Sequence, residues 1–214
     1  MGKCCDPGGY QATFTDRFAR RMAGRYRKRG LDRTQQQLLG FLTERGIDGA
    51  TILEIGGGVG AIQVELLRRG AASVTNLEIS TNYEDEARRL LEESGMTGRV
   101  TRRLLDIATA ASKEVEPADI VVLHRVVCCY PDYERLLAAA GSHARRLLVF
   151  SHPPRNLVTR LAVGWDTMLR RLQRNDFRSF VHPPVAMGAV LQAEGLTPRY
   201  RHHGLIWDVV GLER

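Results

Sequence analysis

Apolar positions recur at three- and four-residue spacing over residues 11–29 and again over 33–45, and Gly30 and Gly46 stand where each run stops. That periodicity predicts two helices. From residue 51 the period changes. Short β-branched or apolar runs appear: TILEI (51–55), SVTNLEI (73–79), GRVTRRLL (98–105), DIVVLH (119–124) and RRLLVF (145–150). Helical patterns separate them in AIQVELLRRG (61–70), NYEDEARRLLEESG (82–95) and DYERLLAAAGS (132–142). Strands that alternate with helices predict right-handed βαβ units and a parallel sheet covered on both faces. DIVVLH and RRLLVF are apolar throughout, as central strands of such a sheet are.

The end of the chain departs from this rhythm. After the helical VAMGAVLQAEG (185–195), LTPRYRHH (196–203) and LIWDVVGLER (205–214) follow each other across Gly204. They read as an antiparallel hairpin. The expected fold is α/β, a Rossmann-like doubly wound sheet of seven strands, mostly parallel and closed by that hairpin, with helices on both faces. Residues 1–45 are expected to form an N-terminal helical lid or extension, and 46–214 the core. The stretch 153–184 carries no assigned element.

Composition narrows the class. A chain of 214 residues with 43% hydrophobic and 26% charged residues can build one substantial core. Its apolar runs are far short of the ~20 residues that span a bilayer. The first residues lack the apolar stretch of a secretory signal, so a cytoplasmic location is expected. The net charge of +7 comes mainly from arginine, concentrated in DRFARRMAGRYRKRGLDR (16–33). Such a cluster suits an RNA or an acidic partner, but an arginine-rich solvated helix face accounts for it as well.

The chemistry gathers at strand ends. In LEIGGGVG (53–60), Gly56, Gly57, Gly58 and Gly60 let the backbone turn sharply and approach a ligand before a helix opens. Glu78 ends the next strand, about 20 residues on, where a carboxylate can accept the hydroxyls of a ribose. Those two features alone also fit a dinucleotide. Glu54, two residues before the first glycine, suits an amine-bearing ligand better than a pyrophosphate, which it would repel. Asp106, after the third strand, can accept from an adenine amino group. Three carboxylates over three successive strand ends describe a nucleoside with an amine and no phosphate, which is S-adenosylmethionine.

The sequence resembles the class I S-adenosylmethionine-dependent methyltransferases. LEIGGGVG is similar to their first motif, NLEIS (76–80) to the second, LLDI (104–107) to the third and ADIVVLHRVVCCYPD (118–132) to the fourth. The resemblance covers residues 50–214. It implies cofactor contacts at Glu54, Gly56, Gly57, Gly58, Gly60, Glu78, Ile79, Asp106, Ile107 and His124, and an acceptor that is a small molecule, methylated on oxygen. The helices before the core are similar to those of magnesium-protoporphyrin O-methyltransferases and related bacterial proteins. The first motif departs from theirs, with Glu54 and three glycines in place of D-x-G-C-G-x-G.

His124, which ends the fourth strand, and His152, in SHPPR after the fifth, are the expected proton acceptors for a hydroxyl nucleophile. His182 reads as structural, and Tyr130 either orients substrate or plugs the loop. The adjacent pairs Cys4–Cys5 and Cys128–Cys129 lack the C-x₂₋₄-C spacing of structural zinc, so no metal is expected. An RNA methyltransferase, a nicotinamide (NAD) dehydrogenase and a non-catalytic cofactor-binding protein remain open. Against the first, the loop after the fourth strand lacks N/D-P-P-Y/F, and no Pro-Cys nucleophile is present.

Overall fold

The computed structural model describes residues 7–111, 114–172, 175 and 177–214. Three helices precede the sheet: α1 (Pro7–Thr13), α2 (Asp16–Arg29) and α3 (Arg33–Glu44). The core then runs β1 (Thr51–Ile55), α4 (Ala61–Arg68), β2 (Ser73–Glu78), α5 (Glu84–Glu93), β3 (Val100–Leu104), β4 (Ala118–Leu123), α6 (Tyr133–Ser142) and β5 (Ala144–His152). It ends with α7 (Leu157–Leu172), α8 (Pro184–Ala193), β6 (Thr197–His202) and β7 (Asp208–Glu213). The sheet order is β3-β2-β1-β4-β5-β7-β6. The first five strands are parallel, and β7 is antiparallel to both β5 and β6.

Alternation along the strands divides the interior in two. Leu53, Ile55, Val121, Leu123, Leu148 and Phe150 pack with α6 and α8 on one face. Ile52, Val74, Ile120, Val122, Leu147 and Val149 pack with α3 and α4 on the other. The order of the last two strands follows from their composition. In β7 every residue but the last is buried, as suits an interior strand, whereas β6 is mostly exposed and takes the edge.

Three details differ from the sequence expectation. The helix expected over 11–29 is interrupted after Thr13. Thr15 adopts an extended conformation and its hydroxyl accepts from Phe18 N–H, so the side chain caps a new helix instead of continuing the old one. His152 is the last residue of β5 and not part of the following loop. The unassigned stretch contains α7, sixteen residues long.

α3 is integral to the core. Asp32 and Gln35 form a reciprocal capping box at its start. Leu38, Leu39, Phe41 and Leu42 are buried against the sheet. A Cβ on Gly211 of β7 would lie 2.5 Å from the Phe41 ring, so the glycine makes room for it. No described helix is long and apolar enough to cross a membrane.

Candidate active site

The glycine turn between β1 and α4 adopts backbone angles that only glycine takes at little cost. Gly56, Gly58 and Gly60 have φ of +67°, +56° and +83°. Space is as tight as conformation. A Cβ on Gly56 would lie 2.6 Å from Val126 Cγ2. One on Gly57 would lie 2.3 Å from Asn76 Nδ2 and 2.4 Å from Glu54 Oε2.

Glu78, at the end of β2, lies against this turn. Its Oε2 accepts from Gly58 N–H at 3.0 Å, and its Oε1 accepts from Ile79 and Ser80 N–H at 2.9 and 3.2 Å. Burial raises its pKa, opposed by those three donors and by Arg102. Arg102 itself donates to Gly58 carbonyl at 2.9 Å and to Glu84 at 2.8 Å, which ties β3 to the turn. A carboxylate has about four acceptor sites. Three are taken, so one remains toward a ligand unless Gly58 N–H is released.

Glu54 is set differently from the sequence expectation of a free carboxylate facing an amine. It is buried behind the turn with Gln63 and Asn76, and neither of its oxygens has a hydrogen-bond partner. Burial lifts its pKa to about 7, against the pull of Gln63 and Arg102. Both amide atoms of Gln63 and Asn76 Oδ1 are equally without partners. Buried polar atoms of this kind mark a place for a polar guest or a water.

On the other side of the turn lies a shallow, partly open cleft. Its walls combine the ends of β1, β2 and β3 with the loop after β4. Gly56, Ile79, Asp106 and Ile107 of the expected set line it, together with Leu77, Leu105, Val126 and Tyr130. Asp106 is oriented by its neighbours: Oδ1 accepts from Ala108 N–H at 3.0 Å and Oδ2 from the Tyr130 hydroxyl at 2.9 Å. Tyr130 is therefore part of the wall. The cleft is apolar except for one carboxylate edge and is bordered by the glycine turn, a lining chemically suited to the edge and face of a purine. Glu78 stands beside it, whereas Glu54 and His124 are not among its walls.

The two candidate histidines fall on opposite faces of the sheet. His124 turns toward the α3 side, where its Nδ1 lies 3.1 Å from Ser151 Oγ. That hydroxyl also accepts from Arg125 N–H at 2.9 Å. The other ring nitrogen, Nε2, is buried without a partner. Burial and the adjacent Arg125 push its pKa down to about 3. His152 shares the other face with Phe150, 5.6 Å between rings. Its Nδ1 donates to Pro153 carbonyl at 3.0 Å, so Nε2 holds the lone pair. Burial lowers its pKa too, so both rings are neutral near pH 7.

Arg125 joins these groups to the N-terminal segment. It is a non-glycine residue at φ +58°, a strained conformation of the sort found at functional sites. Its guanidinium donates to Asp32 at 2.9 Å and stacks over Trp207 at 4.9 Å. His182 bonds Tyr130 carbonyl at 2.9 Å and packs on Tyr133, a structural setting.

Helix α1 crosses the same strand ends. Tyr10 donates to Cys129 carbonyl at 2.6 Å, Gln11 meets Ser80, and Asn82 donates to the carbonyls of Gln11 and Phe14. Phe14 packs on Tyr83 and Phe177. The Cys128 and Cys129 sulfurs lie 3.6 Å apart. Among the described residues no cluster of three His, Cys, Asp or Glu side chains is arranged to hold a metal. Cys4 and Cys5 lie outside the described residues.

Sequence reasoning missed Arg102, Gln63, Asn76, Ser151 and Tyr83 as members of this region. Apart from Gln63, which sits in α4 close in sequence to the glycine turn, none carries a local signal, because each acts through a partner about 20 or more residues away. Only the strand-end position of Tyr83, just after β2, could have drawn attention to it.

The model of the methyltransferase domain family matches residues 18–200. No curated protein matches the sequence significantly. Among solved structures, magnesium protoporphyrin IX methyltransferase from Synechocystis PCC 6803, with S-adenosylhomocysteine bound, is 18% identical. That likeness covers 98% of this chain and 99% of that one, with a TM-score of 0.74. An O-methyltransferase family protein from Burkholderia thailandensis is also 18% identical, over 97% of this chain and 61% of that one, at 0.71. An N-methyltransferase from Bradyrhizobium japonicum WM9, in complex with S-adenosylhomocysteine, is 17% identical over 85% of each chain, at 0.61. At these identities the likeness shows the fold.

Proposed function

The chain belongs to the methyltransferase domain family, and we propose that it uses S-adenosylmethionine to methylate a small molecule, on oxygen. When bound, that cofactor supplies a methyl group already activated on a sulfonium. The observation that carries the reading is the pairing of Glu78 with the glycine turn, beside a cleft lined by Ile79, Asp106 and Ile107. Glu78 is the residue to hold the ribose hydroxyls, Asp106 the one to accept from the adenine amino group, and Ile79 and Ile107 the ones to flank the base. Gly56, Gly57, Gly58 and Gly60 let the backbone come close without side chains.

Much of the remaining work is alignment and exclusion of water, which contribute ~7–11 kcal/mol in favourable systems. An oxygen nucleophile also has a proton to lose. His152 is the histidine in a state to take it, because its Nε2 has a lone pair and the ring is neutral. His124 is instead a buried neutral ring held in place by Ser151. The first 29 residues are proposed as the movable cover of the site, with α3 kept in the core.

The test uses cofactor with a labelled methyl group and a panel of hydroxylated small acceptors. Labelled product on oxygen is expected. His152→Asn should lower kcat by roughly 10²–10⁴-fold with cofactor affinity unchanged. An unchanged kcat would move the base elsewhere.

A further inference from the structure

Helix α7 presents its apolar face outward. Leu157, Leu161, Trp165, Met168 and Leu169 recur at helical spacing and are all exposed, Leu157 at 70% and Trp165 at 63%. The opposite side, with buried Thr159 and half-buried Val163 and Thr167, faces the body. None of the α7 side chains that the structure describes belongs to any of the hydrophobic core clusters. A helix in a soluble domain ordinarily turns its apolar stripe inward. Here the arrangement is reversed.

The surroundings extend the patch. α7 leaves the carboxyl end of β5, and the β6–β7 loop lies at that end because His152 pairs with Asp208. That loop exposes Leu205, at 92%, and Ile206. Past the far end of α7, Asn175 and Phe177 meet Thr13, Tyr10 and Phe14. The first turns of α2 follow directly, where Arg17, Arg20 and Arg21 share one exposed face and form no ion pair with any described residue. In sequence α7 adds Arg160, Arg170 and Arg171 against one acid, Asp166.

We propose that this face docks on an anionic lipid surface, with α7 lying in the headgroup plane and the arginines of α2 beside it. An outward stripe of Leu and Trp on an arginine-bearing helix is the composition of an interfacial helix. Anionic headgroups complement the arginine border. A second copy of the chain fits less well, since a self-paired patch would set arginine against arginine on a protein of net charge +7. A soluble apolar ligand fits less well because the stripe is the outer, convex side of a helix and not a concavity. The inference is independent of the methyl-transfer reading, because lipid binding requires neither cofactor nor turnover.

The test is flotation of the full chain with vesicles of phosphatidylcholine alone or mixed with phosphatidylglycerol, alongside its oligomeric state in solution. Binding to the mixed vesicles, weakened by salt, is expected. A Leu161→Glu, Trp165→Glu double variant, altered only at exposed positions, should lose at least about tenfold in partitioning. Arg20→Glu with Arg21→Glu should remove the preference for phosphatidylglycerol. In the unaltered protein, lipids with brominated chains should quench tryptophan emission. Absence of flotation would overturn the proposal, as would equal flotation of the double variant. A dimer split by that variant would assign the face to a second copy, and tight binding of single-stranded RNA without vesicle binding would assign the arginines to nucleic acid.

Discussion

At the scale of single residues, Glu78 and Glu54 make separable predictions. Glu78 was legible from its spacing after the glycines. Its engagement with three backbone N–H groups was not, because those bonds exist only once β2 and the turn are adjacent. Glu78→Ala should therefore weaken S-adenosylhomocysteine binding at least about tenfold and also lower the melting temperature. Each unsatisfied buried donor costs ~1–3 kcal/mol. Calorimetry and thermal melts read the two effects. Weaker binding without any loss of stability would contradict the hydrogen bonds described here.

Glu54 was expected from its position to meet an amine, yet Gly57, Asn76 and Gln63, contributed by three different segments, enclose it. Its raised pKa gives a pH dependence of stability. The folded protein holds the proton more tightly than the unfolded chain, so this contribution is complete below about pH 4.5 and is lost as pH rises through about 7. Glu54→Gln mimics the protonated form. Relative to that variant, the wild type should lose about 3 kcal/mol between pH 4.5 and 8, measured by urea unfolding at each pH.

At the scale of elements, most helices and strands could be read from period alone, since βαβ units impose two clean and different spacings. The break at Thr15 could not, because Tyr10, Ala19 and Ala23 keep a helical rhythm across it while a single side-chain cap decides the outcome. α7 was passed over although Leu157, Leu161, Trp165 and Met168 are periodic and Asn156 caps its start by accepting from Thr159 N–H at 2.8 Å, since no glycine stop frames its end. The two halves of the N-terminal segment should behave differently. Amide exchange over 7–29 should slow when S-adenosylhomocysteine is added, because α1 rests on the mouth through a few hydrogen bonds and rings. Protection of α3 should be high with and without it. Phe41→Ala should cost ~3–5 kcal/mol of stability, read by denaturant unfolding, as fits a large ring buried against β7. Removal of residues 1–29 should leave a folded protein, and removal of 1–45 an insoluble one.

At the scale of the whole molecule, the sequence order of motifs along alternating strands and helices was enough for the architecture. What it left open was the partner of β5, and the apolar character of DVVGL beside the polar TPRYRH explains why β7 occupies that place. The cleft was legible only in part: Asp106 and Ile107 announced themselves by position, whereas Val126, Tyr130 and Leu136 enter it from beyond β4. The central claim is that this arrangement of Glu78, Asp106 and the glycine turn holds an adenosine-bearing sulfur cofactor and rejects a dinucleotide. Isothermal titration of the purified full chain with S-adenosylhomocysteine and, separately, with NAD tests it most directly. Saturable binding near one equivalent of S-adenosylhomocysteine with no heat from NAD is the predicted result, and binding of NAD without S-adenosylhomocysteine would contradict it.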